Sequence, residues 1–396
     1  MKFSDHGRPK RFETVSNPKH GIYVHIPFCL RKCAYCDFYS LTDLTLRQIF
    51  VDSLLQEMAL VDAHDALSDS LYFGGGTPSV LTPQQIEALM QQARDLFTLG
   101  PDAEITMEVN PGTVTRDYLN FLRQIGINRI NIGVQSFSRD TLEFLGRIHS
   151  PGHATQAIAC ARKAGFDNMG LDLIFGIPGQ DASSWQDDLK RALVFAPEHL
   201  SCYILSFEKG TPLDQMRKTN AFKVPADQHI ADLFRITQQK LKDAGYEQYE
   251  ISNYAKIDTS GKTWRSRHNL KYWSFAPYTG LGPAAHSYTA PFRYWNVRDV
   301  RLYMAALAQG QLPIEEKEKA TIEQQITEAI YLGLRTSDGI DTARFKKSFQ
   351  LDFKKQYGDI LKALFEENMV ILKNGRCALT PEGMLFHDGI VERLLR

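Results

Sequence analysis

The stretch Tyr23-Val-His-Ile-Pro-Phe-Cys29-Leu-Arg-Lys-Cys33-Ala-Tyr-Cys36-Asp-Phe38 decides how the rest of the chain is read. Half of the chain's six cysteines fall within eight positions here, spaced C-x3-C-x2-C. They follow an apolar, strand-like run, 22–26, that stops at Pro27. Three thiolates on one tight loop can hold three corners of a cubane [4Fe–4S] cluster and leave the fourth iron without a protein ligand. Zinc is the competing reading, with His25 or His20 completing a tetrahedral site. Structural zinc sites usually draw their ligands in two pairs from two chain segments, and this loop does not. Disulfides fit worse, because the trio is odd and the remaining cysteines are isolated.

Working outward, the 396 residues leave room for a barrel-sized domain and a smaller one. Apolar residues at 43% and charged residues at 23% are ordinary for a globular chain. Lys+Arg 46 balances Asp+Glu 46, so net charge points to neither nucleic acid nor a membrane surface. No run approaches the roughly 18 apolar residues of a membrane span. Residues 1–20 are polar and basic, with no signal-like apolar segment and no helix or strand period, and read as a loose tail. Cys160, Cys202 and Cys377 stand alone, as expected in a reducing compartment, so the expected location is the cytoplasm.

From residue 22 to 206 strand and helix patterns alternate. Strands are expected at 22–26, 70–74, 104–109, 129–134, 169–175 and 200–206, and amphipathic helices at 44–63, 83–97, 115–125, 153–164 and 183–195. Six β–α units predict an α/β fold, a parallel sheet curved into a partial (β/α)6 TIM-like barrel. Chemistry in such barrels sits at the carboxyl ends of the strands, and the unusual residues cluster there. Gly75, Gly76 and Thr77 follow the second strand, where missing Cβ atoms let a ligand approach the main chain. Glu108 closes the third strand and offers a carboxylate for the two hydroxyls of a ribose. Gln135 ends the fourth. Arg147 provides a bidentate donor for a carboxylate. Asp172 lies in an otherwise apolar strand, where a charge needs a designated partner.

The second half reads differently. A helix is expected over 227–245, then an aromatic, strand-like run at 246–254. The string His268-Asn269-Leu-Lys-Tyr272-Trp273 puts an imidazole beside aromatic rings and cations. Such a set suits haem iron and its propionates, although lone histidines beside aromatics more often serve plain packing. His286 is a weaker second histidine of the same kind. Helices are expected at 316–335, 342–349 and 352–368. An Asn374-Gly375 hairpin signal follows, and Pro381 opens a last helix. Helices followed by a hairpin resemble a winged-helix module, read here as a unit for packing or partner contact rather than for DNA.

Residues 22–206 resemble the radical S-adenosylmethionine (SAM) superfamily and, more narrowly, the anaerobic coproporphyrinogen oxidase family. That resemblance implies a [4Fe–4S] cluster on Cys29, Cys33 and Cys36. It also implies SAM bound by Tyr23, Tyr35, Gly75, Gly76, Thr77, Glu108, Gln135, Arg147 and Asp172. The oxidases carry a further cysteine two positions after the third ligand, and this chain has Phe38 there. With Asp37-Phe38 and the H-N-x-x-Y-W string, the chain looks like the HemW-type haem chaperones. The resemblance then implies haem as cargo at His268, Asn269, Tyr272 and Trp273, delivered to acceptors such as respiratory enzymes. A haem donor and transient contact with membrane proteins also belong to that picture. The alternatives are an oxygen-independent coproporphyrinogen III dehydrogenase and, as a third class, a radical SAM methyltransferase. The expected organisation is a tail (1–20), the barrel (21–245), a haem-binding linking segment (246–310) and a helical, winged-helix-like unit (311–396).

Overall fold

The computed structural model describes residues 19–62, 66–258 and 260–396. Residues 1–18 of the tail expected at 1–20 lie outside the described residues, and His20 already opens a strand.

All six expected strands form. They are β1 (His20–Ile26), β2 (Ser68–Gly75), β3 (Leu99–Val109), β4 (Arg129–Gln135), β5 (Met169–Phe175) and β6 (His199–Ile204). They pair in parallel in chain order. Their sequences alternate with period two, and the alternation sorts the layers. Leu71 and Phe73, Ile105 and Met107, Ile130 and Ile132, Leu171 and Leu173 belong to the main apolar core, together with Leu89, Leu122, Ile158 and Leu189 of the intervening helices. The other face carries Ser70 and Tyr72, Thr106 and Glu108, Asn131, Asp172 and Ser201, a polar interior. The helices Arg47–Leu60, Pro83–Leu96, Arg116–Gln124, Pro151–Lys163 and Ala182–Val194 fall where the sequence predicts. Pro83–Leu96 starts on a capping box between Thr82 and Gln85, a device worth about 1 kcal/mol.

The sheet does not close. Among the described residues it runs to twelve strands with two free edges. Beside β6 it adds β7 (Tyr246–Gln248) and β8 (Asn253–Lys256), antiparallel. On the other side β9 (Tyr278–Leu281) joins β1 in parallel, and β10 (His286–Thr289), β11 (Phe292–Asn296) and β12 (Ile314–Lys319) follow, antiparallel.

Two expectations for the second half fail. The helix expected from 316 begins only at Ile322, because Ile-Glu-Glu-Lys-Glu-Lys is an edge strand. Its charges pair with the neighbour: Glu318 meets Arg293, and Lys317 lies over Phe292. Charges of this kind also keep an open edge from recruiting another chain. The helix expected over 352–368 breaks into Phe353–Gln356 and Gly358–Glu366. The hairpin forms as predicted, β14 (Val370–Lys373) with β15 (Arg376–Leu379), completing a three-stranded sheet with β13 (Ile340–Asp341). Asn374 and Gly375 both have positive φ, as that tight turn requires.

Candidate functional site

Beyond Ile26, Pro27 ends the strand and the chain loops out. Cys29 N donates to Leu41 O at 2.8 Å and Leu41 N to Pro27 O at 2.6 Å, tying the loop's ends together. Phe28 anchors it in the core, edge-on to Phe50 at 5.3 Å. Cys29, Cys33 and Cys36 are half-buried and free. Two of the sulfurs already accept hydrogen bonds. Thr77 Oγ1 reaches Cys29 Sγ at 3.4 Å and Arg147 Nη1 reaches Cys33 Sγ at 3.3 Å. Asn110 fixes both donors: its Nδ2 donates to Thr77 Oγ1 at 2.7 Å, and its Oδ1 accepts from Arg147. Burial pushes the Cys29 and Cys36 thiols up, so iron ligation would displace their protons.

These cysteines line a cavity of ≈ 600 Å³ at the carboxyl ends of the strands. Tyr35, Gly75, Gly76, Thr77, Glu108, Gln135, Arg147 and Asp172 line it too. The structure thus brings together every sequence-predicted residue of this group except Tyr23. That side chain lies behind the wall, its hydroxyl bonded to His25 Nδ1 at 3.0 Å and its ring 6.2 Å from Tyr72. The glycines are sterically required. A Cβ on Gly76 would lie 2.7 Å from Phe28 O, and one on Gly75, whose φ is +106°, would lie 2.5 Å from the His25 ring. Glu108 accepts from Tyr72 OH at 2.7 Å and from Gly75 N at 3.3 Å. Burial nevertheless pushes its carboxyl up to about 7. Gln135 ends β4 with φ 65°, a conformation uncommon for a residue with a side chain.

Asp172 is the cavity's exposed need. Its Oδ2 accepts from Asn131 Nδ2 at 2.6 Å, but its Oδ1 is buried with no partner. A buried carboxylate oxygen without a donor is costly unless a ligand supplies one. The cysteine loop, the side-chain-free cradle and this orphaned oxygen together fit a cluster with a polar cofactor beside it. They do not fit zinc. Both nitrogens of His25 are engaged, by Tyr23 and by Tyr39 O at 2.9 Å. His20 bonds Ser68 and Thr279 at the other end of β1. Among the described residues no three metal-binding side chains converge on a single ion.

His268 lies elsewhere. Its helix, Arg267–Ser274, packs against the amino ends of β1–β3. Glu104 Oε1 accepts from Arg267 N at 2.9 Å and His268 N at 3.3 Å, capping the helix start. His268 is 1% exposed. Its Nδ1 meets Ser70 Oγ at 3.0 Å and its Nε2 meets Tyr272 OH at 2.9 Å. The ring stacks 5.0 Å from Tyr72. Burial lowers its pKa to about 3, so the imidazole is neutral. Lys271 pairs with Asp69 and donates to Lys19 O. Ser266 caps the helix, its Oγ accepting from Asn269 N at 3.3 Å, and Trp273 faces the C-terminal unit under the Arg335 guanidinium at 4.4 Å. His286 is exposed and stacks on Trp295 at 5.5 Å.

Residues 23–192 match the family model of the radical SAM superfamily, and 321–386 match that of the HemN C-terminal domain. A Bacillus subtilis protein named heme chaperone HemW is 33% identical over 93% of this chain and 97% of its own. The Escherichia coli protein of that name is 39% identical over 69% of this chain and 71% of its own. The chain belongs to the HemW family. As a radical SAM protein of that family it is expected to carry a [4Fe–4S] cluster and SAM. The solved structure of coproporphyrinogen III oxidase HemN from Escherichia coli superposes with a TM-score of 0.81 at 24% identity, covering 97% of this chain and 91% of its own. That likeness speaks for the shared fold. Sequence reasoning gave no role to Asn110 or Asn131, which position the cavity's Thr77, Arg147 and Asp172. Asn131 carried the same signal as Asp172, a polar residue inside an apolar strand.

Proposed function

We propose that this protein is a cytoplasmic haem chaperone. In this reading Cys29, Cys33 and Cys36 hold a [4Fe–4S] cluster, and haem is cargo passed to acceptors such as respiratory enzymes. When bound, the cluster would supply an open iron able to chelate the amino and carboxylate groups of SAM. The chain's residues do the rest. Gly75, Gly76 and Thr77 present main chain to SAM, Glu108 accepts its ribose hydroxyls, and Asp172 Oδ1 accepts a further donor. Tyr35, Gln135 and Arg147 line the pocket, and Tyr23 supports its wall. Arg147 and Thr77 direct hydrogen-bond donors at the sulfurs of Cys33 and Cys29.

One observation carries the choice of chaperone over dehydrogenase. Phe38, 68% exposed at the cavity's lip, stands where the oxidases resembled by this loop carry another cysteine. His268 is the proposed iron ligand, with Tyr272 against its ring and Asn269 and Trp273 on the same helix as the further haem-site residues of this reading. Ligation there goes with release of its bonds to Ser70 and Tyr272. No described helix is long and apolar enough to cross a membrane.

The test is anaerobic. With the cluster reconstituted, haem binding is measured for wild type and His268→Ala, alongside turnover of coproporphyrinogen III with SAM and a reductant. Haem affinity lost in the variant, with no decarboxylation in either, supports the chaperone. Protoporphyrinogen formation without haem affinity overturns it.

A further inference from the structure

In the conformation described, the haem cargo has no access to His268, which is buried with both ring nitrogens engaged. The cavity beside Trp273, ≈ 220 Å³, is small for a tetrapyrrole. The ≈ 600 Å³ cavity over the cysteines is different, because its lip carries apolar surface turned to solvent. Phe38 is 68% exposed, Ile204 41% and Tyr203 40%. Arg31 and Lys32 flank them on the cysteine loop, both exposed and neither paired with a carboxylate among the described residues. Asp37 and Glu208 share the lip, so its charge is mixed and the two cations are separate anchors rather than a uniform field.

Exposed aromatic surface edged by two unpaired cations matches a flat, apolar ligand with two carboxylates. We propose that this lip is a haem-docking site. The porphyrin face lies on Phe38, Tyr203 and Ile204, and its propionates meet Arg31 and Lys32. The inference rests on the chaperone reading and adds to it where haem sits before His268 is freed.

The test uses full-length protein, reconstituted anaerobically with cluster and SAM, titrated with haem and followed by the Soret band. Arg31→Glu combined with Lys32→Glu should weaken binding about tenfold, the scale of two solvent-exposed ion pairs. Phe38→Ala should weaken it by a similar factor. Haem dimethyl ester, which lacks the carboxylate charges, should bind wild type about tenfold more weakly than haem, and the charge-reversed variant no worse than wild type. Iron and sulfide content is measured for each variant. If a substitution costs the cluster, the ester comparison on wild type decides, and equal affinities for acid and ester overturn the lip site. Unchanged haem affinity in cluster-bearing variants also overturns it, while leaving the chaperone reading intact. A wild type that binds no haem at all sinks that reading instead.

Discussion

At the carboxyl ends of the parallel strands, Asp172 keeps a buried oxygen without a partner and three cysteine thiols line an open cavity. At the amino ends, Glu104 and His268 are buried as deeply, but Glu104 caps a helix and His268 has both nitrogens engaged. Both ends draw on the same polar face of the same strands. The difference lies in what covers them. The helix Arg267–Ser274 brings its own N–H groups and side chains to the floor, whereas the mouth leaves its polar groups to a ligand. Tyr72 joins the two, its ring stacked on His268 and its hydroxyl donating to Glu108. Polarity inside a barrel therefore marks a site only where the protein does not satisfy it.

The contrast breaks first at the cysteines. Replacing any of Cys29, Cys33 or Cys36 by Ala should take iron and sulfide in reconstituted protein from about four of each to near zero. The melting temperature of the cluster-free protein should hardly move, since the floor does not depend on the loop. Cluster content near wild type in all three variants would show that the cysteines are not the ligands. At the floor the order reverses. Glu104→Ala leaves the buried Arg129, 3.9 Å away, without its carboxylate and orphans two helix N–H groups. It should cost about 3 kcal/mol in denaturant unfolding without altering cluster content. A loss well under 1 kcal/mol would mean that the floor is not closed by this contact.

The third way to sharpen the comparison is pH. Glu108, raised by burial to about 7, holds a proton in the folded protein that an unfolded carboxyl near 4.5 has lost. Its own contribution is full below about 4.5 and fades as pH rises through 7, against the opposite rise from His20, His25 and His149, lowered by burial to about 4, and His268, lowered to about 3. Glu57 is also raised to about 7 by burial, and it adds in the same direction as Glu108. The wild-type curve minus the Glu108→Gln curve, which cancels the other groups, should fall by about 2 kcal/mol between pH 5 and 8. An unchanged slope in the variant would place the titration elsewhere. On the binding reading, SAM affinity should strengthen from pH 6 to 8, because the ionised carboxylate is the better acceptor for ribose hydroxyls.

Much of this was legible beforehand, for reasons that differ by region. The six strands and the five helices between them followed from hydrophobic period, because each helix buries one face on the sheet and little else competes. Gly75, Glu108, Gln135 and Asp172 stood out as polar or glycine residues where apolar ones were due. β12 was misread because helix and edge strand both tolerate a run of Glu and Lys, and only its pairing with β11 decides between them. The seat of His268 was beyond reach for a similar reason. Its partners Ser70, Tyr72 and Glu104 lie more than 160 positions away, and nothing local in H-N-x-x-Y-W says that the helix faces the barrel floor.

The smallest effect tests the comparison most directly, because its two readouts should part company. In Asp172→Asn the amide oxygen can still accept from Asn131, and the buried charge with its orphaned oxygen is gone. Burial already pushes the Asp172 carboxyl up, which shows how poorly this buried position tolerates that charge. Stability should therefore hold or rise, by up to about 1 kcal/mol. The amide cannot offer a second acceptor to a ligand, so affinity for SAM should fall about tenfold, or 1.4 kcal/mol. Stability and affinity falling together would make Asp172 part of the fold's own support, like Glu104 at the floor. Stability held while affinity drops is the outcome expected of a group kept unsatisfied for its ligand.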